Sequence, residues 1–303
     1  MNELAKPKLL TLVVNPRSGG GKAGRMLPKI AAKLKATLPA SEILVVTSTS
    51  WDDAKARIRA AATSAREGDT VAVVGGDGMA HLGLNGCAHT DATLAVIPAG
   101  TGNDFARALG ISNVDDALEA IASHRTRRLD LTRVRNQALG ERYVGAAVSS
   151  GYDARVNRAT NDIRLRFGAL SYGVIALREL MSFTPLHYRI SIDGEYREFD
   201  AMFVAACNTG IIGGGMRMSP DADPTDGMMD LTIVHPVGRG TLLRMMPRMY
   251  SGSFVKHPVV EQVRAKRVEL DGDGVFLMGD GEELGDVPAV LECDPAALKV
   301  HVA

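Results

Sequence analysis

Hydrophobic positions in the first third of the chain form short apolar runs, which are separated by longer segments with helical spacing. The runs predict buried strands, and the segments between them predict amphipathic helices. The predicted strands are Leu9–Val14, Ile43–Val46, Thr70–Val74 and Leu94–Ile97. Helices are predicted from after Gly21 to about Leu38, from the N-cap Ser50 to about Arg66, over Met79–Cys87 and from Asn103 to Leu109. This alternation predicts an α/β domain with a parallel sheet covered on both faces.

The pattern changes after about Arg133, where strand-like runs follow one another with a single helical interruption around Asn157–Met181. Asp193-Gly194 has the composition of a hairpin turn. The predicted strands are Tyr143–Val148, Leu186–Ile192, Tyr196–Cys207, Met229–His235, Val263–Leu270, Val275–Met278 and a last short strand, Leu298–Val302. We therefore expect an α/β domain at residues 1–133 and an antiparallel β-domain at 134–303, with a last strand that could return to the first domain.

Composition excludes several classes of protein. Lys+Arg and Asp+Glu both number 35, so no overall basic field is available to hold nucleic acid. The three cysteines are far apart, which argues against a disulfide framework or zinc site and suggests a reducing cytoplasm. No run approaches the roughly 20 apolar residues needed to span a bilayer, and the N-terminus fits a secretory leader poorly.

Glycine-rich loops follow three of the four strands predicted in the first domain. Glycine lets the backbone turn sharply and approach a ligand, while the first amides of the next helix form an anion site. In an open α/β sheet all three loops fall on the ligand-binding edge. They are Asn15-Pro16-Arg17-Ser18-Gly19-Gly20-Gly21, Gly75-Gly76-Asp77-Gly78 and Pro98-Ala99-Gly100-Thr101-Gly102-Asn103-Asp104. Neither the P-loop nor the Rossmann fingerprint is present.

Asp77 lies inside one of these phosphate-binding candidates. A carboxylate beside phosphates is repulsive unless a metal or a proton in transit compensates for its charge. This placement favours a functional carboxylate in a magnesium-dependent phosphoryl transferase. The alternative is that Asp77 only satisfies backbone groups of its own turn.

The three loops together resemble the signature series of the diacylglycerol kinase catalytic domain family, which includes bacterial lipid kinases and the sphingosine and ceramide kinases. The resemblance continues in order along nearly the whole chain. Later landmarks are Asn208, Gly213-Gly214-Gly215, Pro220-Asp221-Ala222, Asp226-Gly227-Met228-Met229-Asp230, Lys256-His257-Pro258 and Asp280-Gly281-Glu282.

The resemblance implies a three-layer α/β domain like that of phosphofructokinase and NAD kinase, followed by an antiparallel β-sandwich, with the active site in the cleft. It implies ATP as phosphate donor and a lipid, most simply diacylglycerol, as acceptor. Homodimer formation is left open, as is contact with the inner membrane face. By position, the ATP contacts would be Asn15, Pro16, Arg17, Ser18, Gly19, Thr47, Gly75, Gly76, Asp77, Gly78, Gly100, Thr101 and Asn103.

The same resemblance implies that Glu282 accepts the proton of the lipid hydroxyl, with Asp280 beside it. It also implies a Mg²⁺ site at Asp226, to which Asp223 and Met228 would contribute carbonyl oxygens. These roles agree with the chemistry, because a hydroxyl nucleophile needs a base and magnesium prefers oxygen ligands. Without the resemblance, Asp280-Gly281-Glu282 would be interpreted as a surface hairpin turn. The nearby Asp271-Gly272-Asp273-Gly274 is interpreted as a turn.

The chain departs from the family pattern after the second loop. Met79 replaces the usual Thr, and His81-Leu82 replaces a frequent Asn-Glu pair. These departures leave two other hypotheses in consideration: an NAD kinase-like phosphotransferase, and a nucleotide- or lipid-binding regulator without turnover. A methionine-rich helix around Met245 and Met249 could line a lipid path, although core packing is the commoner use of such residues.

Overall fold

The computed structural model describes residues 8–152, 154–156 and 183–303. The chain forms two compact units, one of residues 1–130 with 295–303 and the other of residues 131–294. The helical segment predicted at 157–181 lies outside the described residues. No helix in the described ranges is long and apolar enough to cross a membrane.

The first unit alternates strands and helices. Its elements are β1 (Leu9–Val14), α1 (Ser18–Thr37), β2 (Glu42–Thr47), α2 (Trp51–Ser64), β3 (Thr70–Gly75), α3 (Asp77–Cys87), β4 (Thr93–Pro98), α4 (Asp104–Ala108), α5 (Val114–Ala122), the start of β5 (Thr126–Asn136) and the end of β18 (Ala289–His301). The parallel strands stand in the order β2-β1-β3-β4, and the end of β18 runs parallel to β4. The predicted parallel α/β sheet is thereby confirmed.

Local sequence explains the helix starts in this unit. Ser50 caps α2 by accepting a hydrogen bond from the Asp53 amide at 3.1 Å, as the sequence predicts, and Asp52 and Asp53 occupy the first turn. Asn113 caps α5 in a complete capping box with Asp116. The sequence analysis did not predict α5.

The second unit is built almost entirely from strands. They are the end of β5, β6 (Gly140–Val144), β7 (Ala147–Gly151), β8 (Leu186–Ile192), β9 (Glu195–Ala201), β10 (Phe203–Cys207), β11 (Ile211–Ile212), β12 (Met216–Arg217), β13 (Met229–Val234), β14 (Val260–Ala265), β15 (Arg267–Gly272), β16 (Phe276–Gly279), β17 (Glu282–Asp286) and the start of β18. Helix α6 (Arg239–Ser251) and the 3₁₀ turn Ser253–Lys256 stand between β13 and β14.

Two antiparallel sheets form this unit, and a shared apolar core fills the space between them. One sheet has the order β14-β13-β10-β7-β16-β17, and the other contains β18-β15-β8-β9 with β5 and β6. Side chains from both sheets, among them Val148, Tyr188, Leu231 and Leu270, are buried in one cluster. The antiparallel β-sandwich is therefore confirmed.

Three strands that the sequence predicts as continuous are interrupted. Tyr143–Val148 is split between β6 and β7, Tyr196–Cys207 between β9 and β10, and Val263–Leu270 between β14 and β15. In all three cases the chain leaves one sheet and enters the other at the break. Apolar alternation continues across each corner because both sheets bury side chains in the same core.

Candidate active site

The three glycine loops meet at one edge of the parallel sheet in the first unit. They follow β1, β3 and β4, which are neighbouring strands. A Cβ atom added to Gly19 would lie 2.1 Å from the carbonyl oxygen of Ala99, and one added to Gly100 would lie 2.4 Å from Cα of Gly76. Backbone contacts this close leave no space for a side chain, so the first loop requires glycine against the third, and the third requires glycine against the second.

Asn103 shapes the third loop. Its Oδ1 accepts a hydrogen bond from the Gly100 amide at 3.0 Å, and its Nδ2 donates to the Gly100 carbonyl at 2.9 Å. Asn103 itself is left-handed, with φ of 56°, a conformation that asparagine tolerates. The side chain thus closes a small ring of backbone that leaves Thr101 exposed at its tip.

Asp77 connects the second loop to the third. Its Oδ2 accepts a hydrogen bond from the Asn103 amide at 2.8 Å, and its Oδ1 accepts one from the Asp104 amide at 2.6 Å. Both bonds end at the start of α4, where backbone amides need acceptors. These contacts give the carboxylate a positioning role; a direct catalytic role for Asp77 stays a prediction.

The first loop ends in three glycines with positive φ angles, Gly19, Gly20 and Gly21. Before them, Asn15 Oδ1 accepts a hydrogen bond from the Arg17 amide at 3.0 Å, and the Ser18 amide donates to the Asn15 carbonyl at 3.0 Å. This tight turn brings the chain from the end of β1 into α1. On the neighbouring strand, Thr47 stands beside Val14 at the same edge of the sheet.

The departures from the family pattern are on the buried side of α3. Met79, His81 and Leu82 are each 4% exposed. Met79 packs against Gly75, where an added Cβ would lie 2.4 Å from the Met79 Cγ. The His81 Nε2 lies 3.3 Å from the side-chain Nδ2 of Asn85. All three side chains are therefore part of the core of the first unit.

In the second unit, Asp280 and Gly281 form the turn between β16 and β17, both with positive φ. The Asp280 carboxylate accepts hydrogen bonds from the amides of Gly145 and Ala146 at 2.9 and 2.8 Å. These two residues are the break between β6 and β7 that the apolar pattern concealed. The turn is thereby fixed to a backbone segment remote in sequence.

Glu282 is the first residue of β17 and pairs with Gly279 across the hairpin. Its side chain is half-buried, whereas the next residue, Glu283, is exposed. The structure therefore brings Asp280 and Glu282 together in one rigid turn. A carboxylate in such a turn could accept a proton, and its role as a base stays a prediction.

Asn208 has a structural part that the sequence analysis did not assign. It is 1% exposed, and its Nδ2 donates a hydrogen bond to the Gly145 carbonyl at 2.9 Å. Its backbone amide also donates to the Ala146 carbonyl at 2.8 Å. Asp280 and Asn208 therefore bind the same two-residue segment. The signal available in the sequence was the position of Asn208 among the family landmarks.

The predicted Mg²⁺ ligands are engaged with protein groups. Asp226 Oδ1 accepts a hydrogen bond from the Met228 amide at 3.0 Å, and Oδ2 pairs with Arg264. Asp223 Oδ1 accepts from the amide and hydroxyl of Thr225 at 3.0 and 2.7 Å. Among the described residues no three acidic, histidine or cysteine groups gather as a metal cluster. Asp226 is thus paired with the Arg264 guanidinium, and a Mg²⁺ site at Asp226, Asp223 and Met228 stays a prediction.

The pKa of Asp230 is shifted by its surroundings, which include Asp226 and Arg264. Burial raises the pKa of its carboxyl above the ordinary value, and the negative charges of Asp226 and Asp221 raise it further, while Arg264 opposes both. Elsewhere in the second unit, the turn predicted at Asp271–Gly274 is confirmed at residues 273–274. Asp271 pairs there with Arg189 at 3.1 Å.

The methionine-rich helix α6 serves mainly as core. Leu242, Met245 and Met249 are buried in an apolar cluster with side chains of the six-stranded sheet. Leu243 and Tyr250 on the same helix are about half exposed, at 48% and 54%. Core packing therefore accounts for the buried methionines.

Two family models match the chain. The diacylglycerol kinase catalytic domain matches residues 9–134, and the YegS C-terminal NAD kinase beta sandwich-like domain matches residues 146–302. Together they span both folded units in the order that the motifs predict.

Known proteins resemble the chain over nearly its full length. A diacylglycerol kinase of Mycobacterium tuberculosis (strain CDC 1551 / Oshkosh) is 34% identical over 294 residues, covering 96% of this chain and 94% of the relative. A diacylglycerol kinase of Bacillus subtilis (strain 168) is 28% identical over 286 residues, covering 93% and 92%. The crystal structure of a candidate diacylglycerol kinase from Bacillus anthracis strain Sterne has the same fold, with a TM-score of 0.82 at 23% identity, covering 100% of this chain and 98% of that chain. The motifs, the two domain matches and these relatives agree: the chain belongs to the diacylglycerol kinase catalytic domain family.

Proposed function

We propose that this kinase transfers the γ-phosphate of ATP, bound as its magnesium complex, to the hydroxyl group of a lipid, with diacylglycerol as the first candidate. The observation that carries the proposal is the backbone contact among three glycine loops at one sheet edge. Such an edge supplies amides and helix starts to polyanionic phosphate groups. The family relationship adds the reaction class and directs attention to lipid acceptors.

In this proposal the first unit binds the nucleotide. Phosphoryl transfer depends mostly on position and electrostatic stabilisation, because little covalent chemistry is left to the protein. The bonds from Asp77 to the Asn103 and Asp104 amides hold two loops in fixed relation. Loops fixed before binding need no reorganisation when charge develops on the transferring phosphoryl group. Magnesium enters with the nucleotide as part of the substrate, where it neutralises phosphate charge.

Glu282 is the proposed proton acceptor. A lipid hydroxyl is a weak nucleophile, and a positioned carboxylate that removes its proton contributes roughly 10²–10⁴-fold to the rate. The Asp280 turn fixes where the Glu282 backbone lies. The acceptor lipid would be met at a membrane surface, and the cytoplasmic side is the expected location for an enzyme that uses ATP.

The test compares Glu282→Gln with Glu283→Gln in a radiolabelled phosphate-transfer assay with diacylglycerol in mixed micelles and MgATP. Glutamine keeps the shape of glutamate but cannot accept the proton. We expect labelled phosphatidic acid from the parent protein and from Glu283→Gln, and a loss of about 10²-fold or more in kcat for Glu282→Gln. Equal activity of the two variants would remove Glu282 from the role of base.

A panel of acceptors distinguishes the alternatives. Transfer to other lipids but not to diacylglycerol would change the substrate and keep the lipid kinase. Transfer to soluble NAD alone would establish the NAD kinase-like hypothesis. Tight ATP binding without any phosphorylated product would indicate a regulator that has lost turnover.

A further inference from the structure

A groove runs between α1 and α5 in the first unit, beside the third glycine loop. Its volume is about 380 Å³, and its lining includes Pro98 and Asn103 of that loop. Small-molecule sites in proteins commonly have volumes of roughly 300–1,000 Å³. The groove is therefore large enough for a small organic ligand.

Lysines of α1 make the groove basic. Lys22, Lys29 and Lys33 all line it. Their spacing of seven and then four residues places them on one face of the helix, because two helical turns take about seven residues. Lys33 donates a hydrogen bond to the Asp115 carboxylate of α5 at 2.5 Å. Lys22 and Lys29 form no ion pair within the described part of the chain.

The charges that line the groove match a dianion. Three lysines and one aspartate, Asp115, leave the lining with two net positive charges. The pKa of the Asp115 carboxyl is lowered by its hydrogen bond to Lys33 and by the charge of Lys33, and to a smaller extent by the charge of Lys29. Lys29 therefore lies close enough to this ion pair to act together with it. A phosphate monoester carries about 1.5 to 2 negative charges at pH 7, whereas a carboxylate or a phosphate diester carries one.

The other walls of the groove suit the organic part of such a ligand. Ile30 is buried, Met26 and Val114 are half-buried, and all three line the groove. The start of α5 offers no free backbone amides for an anion, because the capping box of Asn113 and Asp116 already uses them. Binding of a phosphate group here depends on the lysine side chains.

We propose that this groove binds a small organic phosphate monoester as its dianion, with Lys22 and Lys29 pairing with the phosphate group and the apolar walls contacting the organic part. Lysine is a common partner of phosphate, which it binds as a flexible point charge. The groove shares only Asn103 with the residues proposed to contact ATP, so it is a second site. Its ligand is a free metabolite or the head group of a lipid, because both present the same dianion.

Lysine footprinting tests the site residue by residue. The folded protein is reductively methylated with and without glycerol 3-phosphate, and the labelling of each lysine is measured by mass spectrometry. We expect glycerol 3-phosphate to protect Lys22 and Lys29, while Lys35, which lies on the same helix outside the groove, reacts unchanged. Lactate, a small monoanion, should protect neither. Labelling of Lys29 that glycerol 3-phosphate does not change overturns the proposal.

Calorimetry measures the contribution of one lysine to binding. Glycerol 3-phosphate is titrated into the parent protein, Lys29→Met and the matched control Lys35→Met, with MgADP present throughout to occupy the glycine loops. Removal of a charged hydrogen-bonding partner should weaken binding about tenfold or more in Lys29→Met, and Lys35→Met should keep the parent's affinity. Equal affinity of all three proteins overturns the site. Neither result depends on whether the protein phosphorylates a lipid.

Vesicles distinguish the two sources of the ligand. Sedimentation with phosphatidylcholine vesicles that contain phosphatidic acid, a monoester, is compared with vesicles that contain phosphatidylglycerol, a diester. Preferential retention on phosphatidic acid that is lost in Lys29→Met would support the proposal with a lipid head group as the ligand. Glycerol 3-phosphate binding that depends on Lys29, without retention on either vesicle, would support it with a free metabolite as the ligand.

Discussion

Asp280 Oδ1 accepts a hydrogen bond from the backbone amide of Ala146 at 2.8 Å, across 134 positions of sequence. This bond, with its neighbour at Gly145, ties the turn before Glu282 to the interruption between β6 and β7. The geometry of the proposed base is consequently set by a carboxylate that need not touch substrate. The same two bonds explain why Gly145 and Ala146 interrupt the predicted strand: their amides donate to the Asp280 carboxylate.

We expect Asp280→Asn to lower both stability and turnover. Asparagine offers one acceptor oxygen where the carboxylate offers two, and its amide nitrogen would face a backbone N–H. Loss of a bond to a charged acceptor costs about 1–3 kcal/mol in the free energy of unfolding, measurable by urea titration. We also expect kcat for lipid phosphorylation to fall more than KM for ATP rises, because the turn would hold Glu282 less firmly.

Asp193→Asn is the matched control. Asp193 and Gly194 form a similar hairpin turn with positive φ angles, and the Asp193 carboxylate accepts hydrogen bonds from the amides of Lys266 and Arg267 at about 3 Å. Both of these bonds reach Oδ1, which asparagine keeps, so this variant should lose less stability than Asp280→Asn and should keep its kcat. If both variants lose activity in proportion to stability, Asp280 has no special bearing on the reaction.

Asp77→Asn should weaken nucleotide binding. One of its two bonds to the third loop would be lost, so we expect the KM for ATP to rise with a stability cost of about 1–3 kcal/mol. Asp69→Asn tests the same chemistry at the other end of β3, where Asp69 accepts hydrogen bonds from the amides of Leu9 and Arg66. Asp69→Asn should cost stability while the KM for ATP stays unchanged; a parallel rise in both variants would contradict the assignment.

Gly100→Ala should separate the second and third loops. The new Cβ would lie 2.4 Å from Cα of Gly76, a backbone atom that cannot rotate away. Overpacking of this kind lowers the free energy of unfolding by about 1–3 kcal/mol. We expect the free energy of ATP binding, measured by calorimetry, to weaken by at least the same amount. Gly238→Ala is a suitable control, because no atom of the described residues lies within 4 Å of the place its Cβ would take and its φ is −63°. Unchanged ATP affinity in Gly100→Ala would argue against a nucleotide at these loops.

His301 should make the first unit sensitive to acid. Burial, with the nearby His124 and Lys299, lowers the pKa of His301 to about 4, although its contact with the Ala120 carbonyl opposes the shift. That carbonyl can only accept, so Nδ1 carries the proton, and Nε2 accepts from the Thr70 hydroxyl at 3.1 Å. The folded protein therefore requires the neutral ring.

The direction of the pH effect follows from this lowered pKa. Below the unfolded value of about 6.5, the unfolded chain binds a proton that the folded chain refuses, so stability falls by about 1.4 kcal/mol per pH unit until about pH 4. Urea titrations at pH 7 and pH 5 should show a smaller loss in His301→Gln than in the parent. Equal losses would mean that other groups control the acid response.

The sequence predicted the parallel sheet well because each of its strands is a continuous apolar run between helices. The predicted strand at Leu9–Val14 has the bounds that the structure shows, and the Ser50 cap is present. Helix α5 was missed although Asn113 and Asp116 form a capping box, whose signal is short and lies close after the third loop. Local signals of this size are readily overlooked beside a strong glycine motif.

The contacts among the site residues were harder to predict from the sequence than the identity of those residues. Motif order identified the loops, yet only the folded structure shows that Asp77 binds the amides of a segment 26 positions later. Likewise, nothing local in the sequence indicates that Arg264 pairs with Asp226. Long-range partners of carboxylates are determined by the folded chain and leave no trace in periodicity.

The position of strand β18 affects how the protein folds during its synthesis on the ribosome. Its first residues pair with β15 in the second unit, while Val300 pairs with Leu94 in the first unit and the His301 ring contacts Thr70. The first 130 residues emerge early during translation but lack the strand that completes their sheet. The sheet of the first unit therefore stays without its last strand until the second unit has been synthesised. During that time its apolar surface is exposed, and chaperones bind such surfaces.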